Sequence, residues 1–192
     1  DPALAAYLRR AVDGRVEVRE SALEDAELEP EAFDLAAAAS SFHWVEEDVG
    51  LAKLHATLRL GGWIALWWTS VGDEWQPDAF MRSLDPLFED LPHGPCASLA
   101  TRRNFARDTE LRLAALAAAG FEEHRHELFR WPREWDTAGI CALYSTFSPV
   151  RSLEPDRREE FLDAVARIAE REFGGLVERQ LVTSLYTARR PA

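Results

Sequence analysis

Apolar residues at helical spacing open the chain. Leu4, Tyr7, Leu8 and Ala11 share one face, which predicts a helix over Pro2–Ala11. Asp13-Gly14 then marks a turn. Val16 and Val18 alternate with polar neighbours and predict a short strand over Arg15–Glu20. Ser21–Glu31 reads as an acidic loop. From Phe33 to Ala39 the apolar run is continuous, as in a strand covered on both faces. Val49, Leu51, Ala52, Leu54 and Leu58 form the stripe of a helix over Glu46–Leu58, with Gly61-Gly62 as its stop. Trp63–Thr69 is a second buried strand.

The second half is less regular. Glu74–Asp90 reads as a helix interrupted near Pro86, and Leu91–Phe105 as irregular chain with Pro92, Gly94 and Pro95. Asp108 is placed to cap a helix that runs to Ala119 and stops at Gly120. Phe121–Arg130 is a strand whose interleaved charges put it near a sheet edge. Helices over Trp135–Tyr144 and Glu154–Phe173 follow, the longer one stopped by Gly174-Gly175, and Glu178–Ala188 closes the pattern as a strand. Alternating strands and helices predict an α/β fold with a doubly wound sheet. The pattern leaves the direction of the last strand open. No repeat or low-complexity linker appears, so residues 1–192 read as one domain, with 74–106 as an insertion covering a pocket.

The stretch Phe33–Trp68 has the order strand, polar turn, helix, Gly-Gly, strand, which is a parallel βαβ crossover. The turn after its first strand carries Ser40, Ser41, Phe42, His43 and Trp44. Ligands of open parallel sheets bind just outside the carboxyl ends of the strands, so this turn is the first place to look for a site.

Charge narrows the partners. The 192 residues carry 34 acids against 22 bases, a net charge of −12, which disfavours nucleic acid and anionic membrane surfaces. No apolar run approaches the roughly 18 residues of a membrane span. Cys96 and Cys141 have no metal-ligand spacing and read as two free thiols of a cytoplasmic protein. His124 and His126 lie two apart on a strand but lack a third ligand, so no metal is expected. No GxSxG, P-loop, CxxC or HExxH occurs, which leaves hydrolase and nucleotide-hydrolysing classes without support.

Within the turn, His43 is the one side chain whose pKa suits a general base near neutral pH. Its other reading is a helix cap or a satisfied backbone partner. Trp63 and Trp67 read as core. Trp68 and Trp75, at and beyond the strand's end, together with Trp44, read as walls of a substrate pocket for an apolar or cationic small molecule.

The run Val18–Trp68 resembles the central part of a class I S-adenosylmethionine-dependent methyltransferase, in the methyltransferase-11-like small-molecule branch. The matching motifs are Phe33-Asp34-Leu35, Phe42-His43-Trp44 and Leu58-Arg59-Leu60-Gly61-Gly62, with Leu60 where the family usually has proline. Phe129–Trp135 and Arg179–Arg190 are also similar to that branch. The resemblance implies a Rossmann-like sheet of order 3-2-1-4-5-7-6 whose last strand is antiparallel. Glu178–Ala188 would then insert between Trp63–Thr69 and Phe121–Arg130. The family's strands 1 and 2 and its glycine-rich loop have no counterpart in this chain. They would lie between Arg15–Glu20 and Phe33–Ala39, so the chain is expected to be part of a longer one or to have partner segments fill the gap. The resemblance further implies S-adenosyl-L-methionine as cofactor. Ala22, Leu23 and Glu24 would meet its adenine, with Leu23 on the ring and Glu24 toward solvent. Ser40, Ser41 and Phe42 would border its methionine part. Methyl transfer to a small-molecule acceptor is the activity implied; a catalytically silent binding or assembly module is the alternative.

Overall fold

The computed structural model describes residues 2–12, 14–73, 76–89, 91 and 105–192. Helix α1, Pro2–Ala11, forms where the spacing places it, but it buries only Ala5, and Leu4, Tyr7 and Leu8 are exposed. Arg15–Glu20 forms no strand. It is tied locally instead, by Arg9 Nη2 donating to the Val18 carbonyl at 3.3 Å and Arg19 Nη1 to the Glu27 carbonyl at 2.9 Å. A segment with no ladder beside it has nothing to make it a strand.

Strand β1, Phe33–Ala39, runs parallel to β2, Leu58–Val71, with α2, Glu47–Thr57, crossing between them. The continuous apolar run does not mean cover on both faces. Leu35 is 57% exposed and Phe33 is exposed too, because β1 is an edge strand of the described sheet. The buried stripe of α2 is Gly50, Leu51 and Thr57, continued by Leu58, while Val49 faces outward.

Gly61-Gly62 does not stop α2, which ends at Thr57. The pair sits inside β2 as a bulge: Phe33 pairs with Leu58, but Leu35 pairs with Trp63. Gly61 takes φ +77°, and a Cβ on Gly62 would stand 2.9 Å from the Arg59 carbonyl and 3.2 Å from that of Asp34. Gly62 lets the backbones of β1 and β2 approach where any side chain would part them, and Gly61 supplies the left-handed φ of the bulge.

The four strands form one mixed sheet in the order β1-β2-β4-β3. Strand β4, Leu176–Arg189, lies between β2 and β3, Glu122–Asp136, and runs antiparallel to both. Strand β3 extends past Arg130 to Asp136 and carries Pro132, which an edge strand tolerates because the missing N–H can face away from the ladder. Trp135 therefore belongs to β3. Asp136 accepts from the Gly139 amide at 2.7 Å and starts α5, Thr137–Ser145.

Two apolar cores divide the molecule. In the first, α2 and α4, Thr109–Ala118, cover one face of the sheet, burying Leu51, Leu116, Ile64, Leu66 and Tyr186. Asp108 caps α4 as expected. The second core belongs to helices beyond the strand ends: α3, Ala79–Phe88; α5; α6, Ser148–Arg151; and α7, Pro155–Phe173. Helix α3 continues through Pro86 without a break, and the proline lies in its last turn. Helix α7 ends at Gly174, φ +64°. Of the insertion expected over 74–106, α3 and a short 3-10 turn at Phe105–Arg107 are described. Trp75 and the irregular stretch 92–104 lie outside the described residues. No helix among the described residues is long and apolar enough to cross a membrane.

Candidate functional site

At the end of β1 the chain must turn sharply into α2. Ser40 takes a left-handed conformation, φ +48°, and its amide donates to the Trp67 carbonyl at 2.8 Å. Such a φ is uncommon outside glycine. A single 3-10 turn, Phe42–Trp44, follows, closed by the Trp44 amide on the Ser41 carbonyl at 3.0 Å. Ser40 and Ser41 are exposed at the carboxyl end of the parallel pair.

Phe42 does not border a cleft. It is 1% exposed and packs in the sheet core, so close to Gly50 that a Cβ there would meet its ring at 3.1 Å. Its apolar ring anchors the turn from below. Trp44, by contrast, is 67% exposed, its ring 4.9 Å from that of His43.

Trp68 is not a pocket wall either. It is 5% exposed in the sheet core, edge-on to Tyr186. Its indole N–H donates to His43 Nδ1 at 3.0 Å. Neutral imidazole has one acceptor nitrogen, and here Trp68 engages it, so the ring proton is on Nε2. Burial lowers the His43 pKa, which keeps the ring neutral. As held, His43 is a hydrogen-bond donor; accepting a proton requires it to release Trp68.

The loop after Arg15–Glu20 comes to the same place. The Ala26 amide closes a turn on the Ala22 carbonyl at 3.0 Å, Ala22 is exposed, and Leu23 packs against the sheet core. Glu24 stays open to solvent and is also tied to the next element. Its Oε1 accepts from the Glu46 amide at 3.0 Å, at the start of α2, and Lys53 Nζ donates to the Glu24 carbonyl at 2.7 Å. Hydrogen bonds from its own amide and that of Glu46 hold the carboxyl below its usual pKa. Loop 21–25 and turn 40–44 thus converge on the first turn of α2.

Polar groups missed in the sequence lie further along the strands. Asp78, which caps α3 through the Met81 amide at 2.6 Å, also pairs with Arg179 Nε at 2.8 Å. Arg179 is 1% exposed and donates to the Tyr144 hydroxyl. The alternation Val177, Arg179, Leu181 already puts Arg179 on the inward face of its strand. Asp73, buried just past β2, accepts from Arg130 Nε at 2.7 Å. His126, expected on a common strand face with His124, bonds Ser184 Oγ at 2.8 Å and stacks on Tyr186 at 4.5 Å. His55 packs edge-on against Phe121.

The sequence matches no protein-family model and no curated protein. Solved structures do resemble the chain. A candidate type II methyltransferase from Anaeromyxobacter dehalogenans superposes with a TM-score of 0.64 at 21% identity, over 97% of this chain and 78% of its own. A candidate methyltransferase from Bacillus halodurans gives 0.55 at 16% identity, over 100% of this chain and 78% of its own. The fold is the Rossmann-like methyltransferase fold. A phosphoethanolamine N-methyltransferase 2 from Haemonchus contortus, solved with S-adenosylhomocysteine, aligns at 11% identity with a TM-score of 0.43, and this chain spans only 36% of its length. In the methyltransferase fold seen here, turn 40–44 and loop 21–25 both stand beyond the carboxyl end of the parallel pair β1–β2.

Proposed function

We propose that this chain is part of an S-adenosyl-L-methionine-dependent methyltransferase that acts on a small molecule. One observation carries the reading: on a methyltransferase fold, the turn Ser40–Trp44 and the loop Ala22–Glu24 meet at the carboxyl end of the parallel pair, where α2 begins. The residues present suit the cofactor. Ser40 and Ser41 offer exposed hydroxyls, Trp44 an exposed indole, and the 21–25 loop an exposed backbone held in place by Glu24. Ser40 and Ser41 would hold the methionine end, and Ala22–Leu23 would border the adenine. When bound, the cofactor supplies an activated methyl group.

What the chain itself does is align and dry the site. Phe42 and Trp68, buried beneath the turn, fix its height. His43, neutral with its proton on Nε2, positions by donating from that nitrogen and is not the base. Trp44 covers the turn from the solvent side. The net charge of −12 favours a neutral or cationic acceptor over a phosphate-rich one.

The same reading has strands 1 and 2 and the glycine-rich loop outside the described residues and takes Arg15–Glu20 as strand 3 once they are beside it, giving the order 3-2-1-4-5-7-6. The exposed Phe33 and Leu35 on edge strand β1 support it, since parallel strands are normally covered on both faces. Calorimetric titration with S-adenosylhomocysteine tests the function. Micromolar binding by the full-length protein is expected, and its absence overturns the reading.

A further inference from the structure

Beyond the end of β2, between α3, α5 and β4, lies a cavity of about 290 Å³. Met81, Leu84, Phe88 and Phe147 form its apolar walls, and Tyr144 and Arg179 its polar corner. Val71, three residues along β2 from Trp68 and about 10 Å further at ~3.3 Å per residue, closes the side toward the turn.

The charges at the corner are already matched. Arg179 pairs with Asp78 at 2.8 Å, and its guanidinium lies over the Phe80 ring at 5.5 Å and the Tyr144 ring at 5.9 Å. An anionic ligand would have to compete with Asp78 for a buried cation, and the exposed Asp85 at the rim repels it as well. A cationic ligand would face Arg179. The pocket therefore selects neutral molecules.

Tyr144 gives it a direction. The hydroxyl accepts from Arg179, which leaves its own proton free to donate, and Tyr144 is a wall of the cavity. Phe147 at 4.8 Å and Phe88 at 5.9 Å flank its ring with aromatic surface. The walls suit a flat apolar body, and the corner suits one oxygen that accepts a hydrogen bond.

We propose that this cavity binds a neutral, largely apolar molecule of bicyclic size carrying a carbonyl or ether oxygen, with Tyr144 O–H donating to that oxygen. As the seat of the methyl acceptor it rests on the methyltransferase reading above; as a ligand site it does not.

Equilibrium dialysis against three probes tests it: 2-acetylnaphthalene, its deoxygenated analogue 2-ethylnaphthalene, and 2-naphthoate. The acetyl compound is expected to bind about tenfold more tightly than the ethyl compound, the increment of one buried hydrogen bond, with naphthoate weakest. Tyr144→Phe is expected to level the first two. Phe147→Trp, which fills the rim, is expected to weaken both while far-ultraviolet circular dichroism stays unchanged. Equal binding of the acetyl and ethyl probes, or tightest binding of naphthoate, overturns the proposal. The wild-type order decides this even if Tyr144→Phe fails to fold. Normal S-adenosylhomocysteine binding without probe discrimination sinks the pocket alone. Probe discrimination without cofactor binding sinks the methyl-transfer reading alone.

Discussion

Asp78 and Arg179, 101 residues apart in sequence, meet at 2.8 Å, and Arg179 has no contact with bulk water worth the name at 1% exposure. Asp78 does two jobs at once, capping α3 and neutralising a buried guanidinium. Removing one partner of a buried pair leaves a stranded charge, which typically costs about 3–5 kcal/mol. Asp78→Ala should therefore lower stability by that order in urea denaturation. The double variant Asp78→Ala with Arg179→Met should recover part of the loss. A double variant no more stable than the single one would show that the cap, not the charge, carries the effect.

The pair His43–Trp68 sets a pH dependence. Burial depresses the His43 pKa below its ordinary 6.5, and burial does the same to His126. The unfolded chain then binds protons more readily than the folded one. Stability from these rings is present above pH 6.5 and is lost as pH falls through their folded values. Proton NMR of the histidine ring signals should give a His43 pKa below 6.5 in the folded chain. Trp68→Phe removes the donor that protonation disrupts and should raise that pKa.

His43→Gln separates positioning from proton transfer. Glutamine can accept from Trp68 through its side-chain oxygen, so turnover should fall only a few-fold, and the pH profile of kcat should keep its shape. Loss of an ionisation from that profile would return His43 to the role of base.

Gly72 is where the sheet makes room for Arg179. A Cβ there would stand 2.8 Å from Arg179 Nη2 and 3.0 Å from Met81 Sδ, on a backbone of φ +89°. Gly72→Ala should cost about 1–3 kcal/mol from strain and overpacking together. A thermal melt reads it as a lower Tm. Gly14, at φ +81° with nothing within 4 Å, is the control: Gly14→Ala meets the same φ without the clash and should cost less.

The exposed Phe33 and Leu35 make the 192-residue chain on its own prone to self-association. Size-exclusion chromatography should show it eluting above monomer size. A cooperative melt from a clean monomer would contradict the two further strands placed beside β1.

Much of the sheet half was legible in the sequence because its signals are local. The strand-turn-helix-strand order of Phe33–Trp68, the Asp108 cap and the glycines that stop α7 each depend on residues a few positions apart. The errors came where a side chain's fate depends on distant neighbours. Phe42 read as bordering the cofactor and Trp68 as a pocket wall because they stand near a strand end, but the sheet's inward face claims both. Gly61-Gly62 read as a helix stop because the approach of Asp34 from another strand is invisible in the pattern. Arg179 passed unnoticed because its partners lie 35 and 101 positions away.

The two cores share no buried side chain among the described residues. Strand β4 contributes to both, Tyr186 and Ala188 to the first and Val177 to the second. The helices beyond the sheet are thus mounted on a stalk. Their interior can be recast by mutation, one wall at a time, while turn 40–44 keeps its shape. A laboratory that wished to change what the molecule accepts would redraw Leu84, Phe88 and Phe147 and leave β1 and β2 untouched.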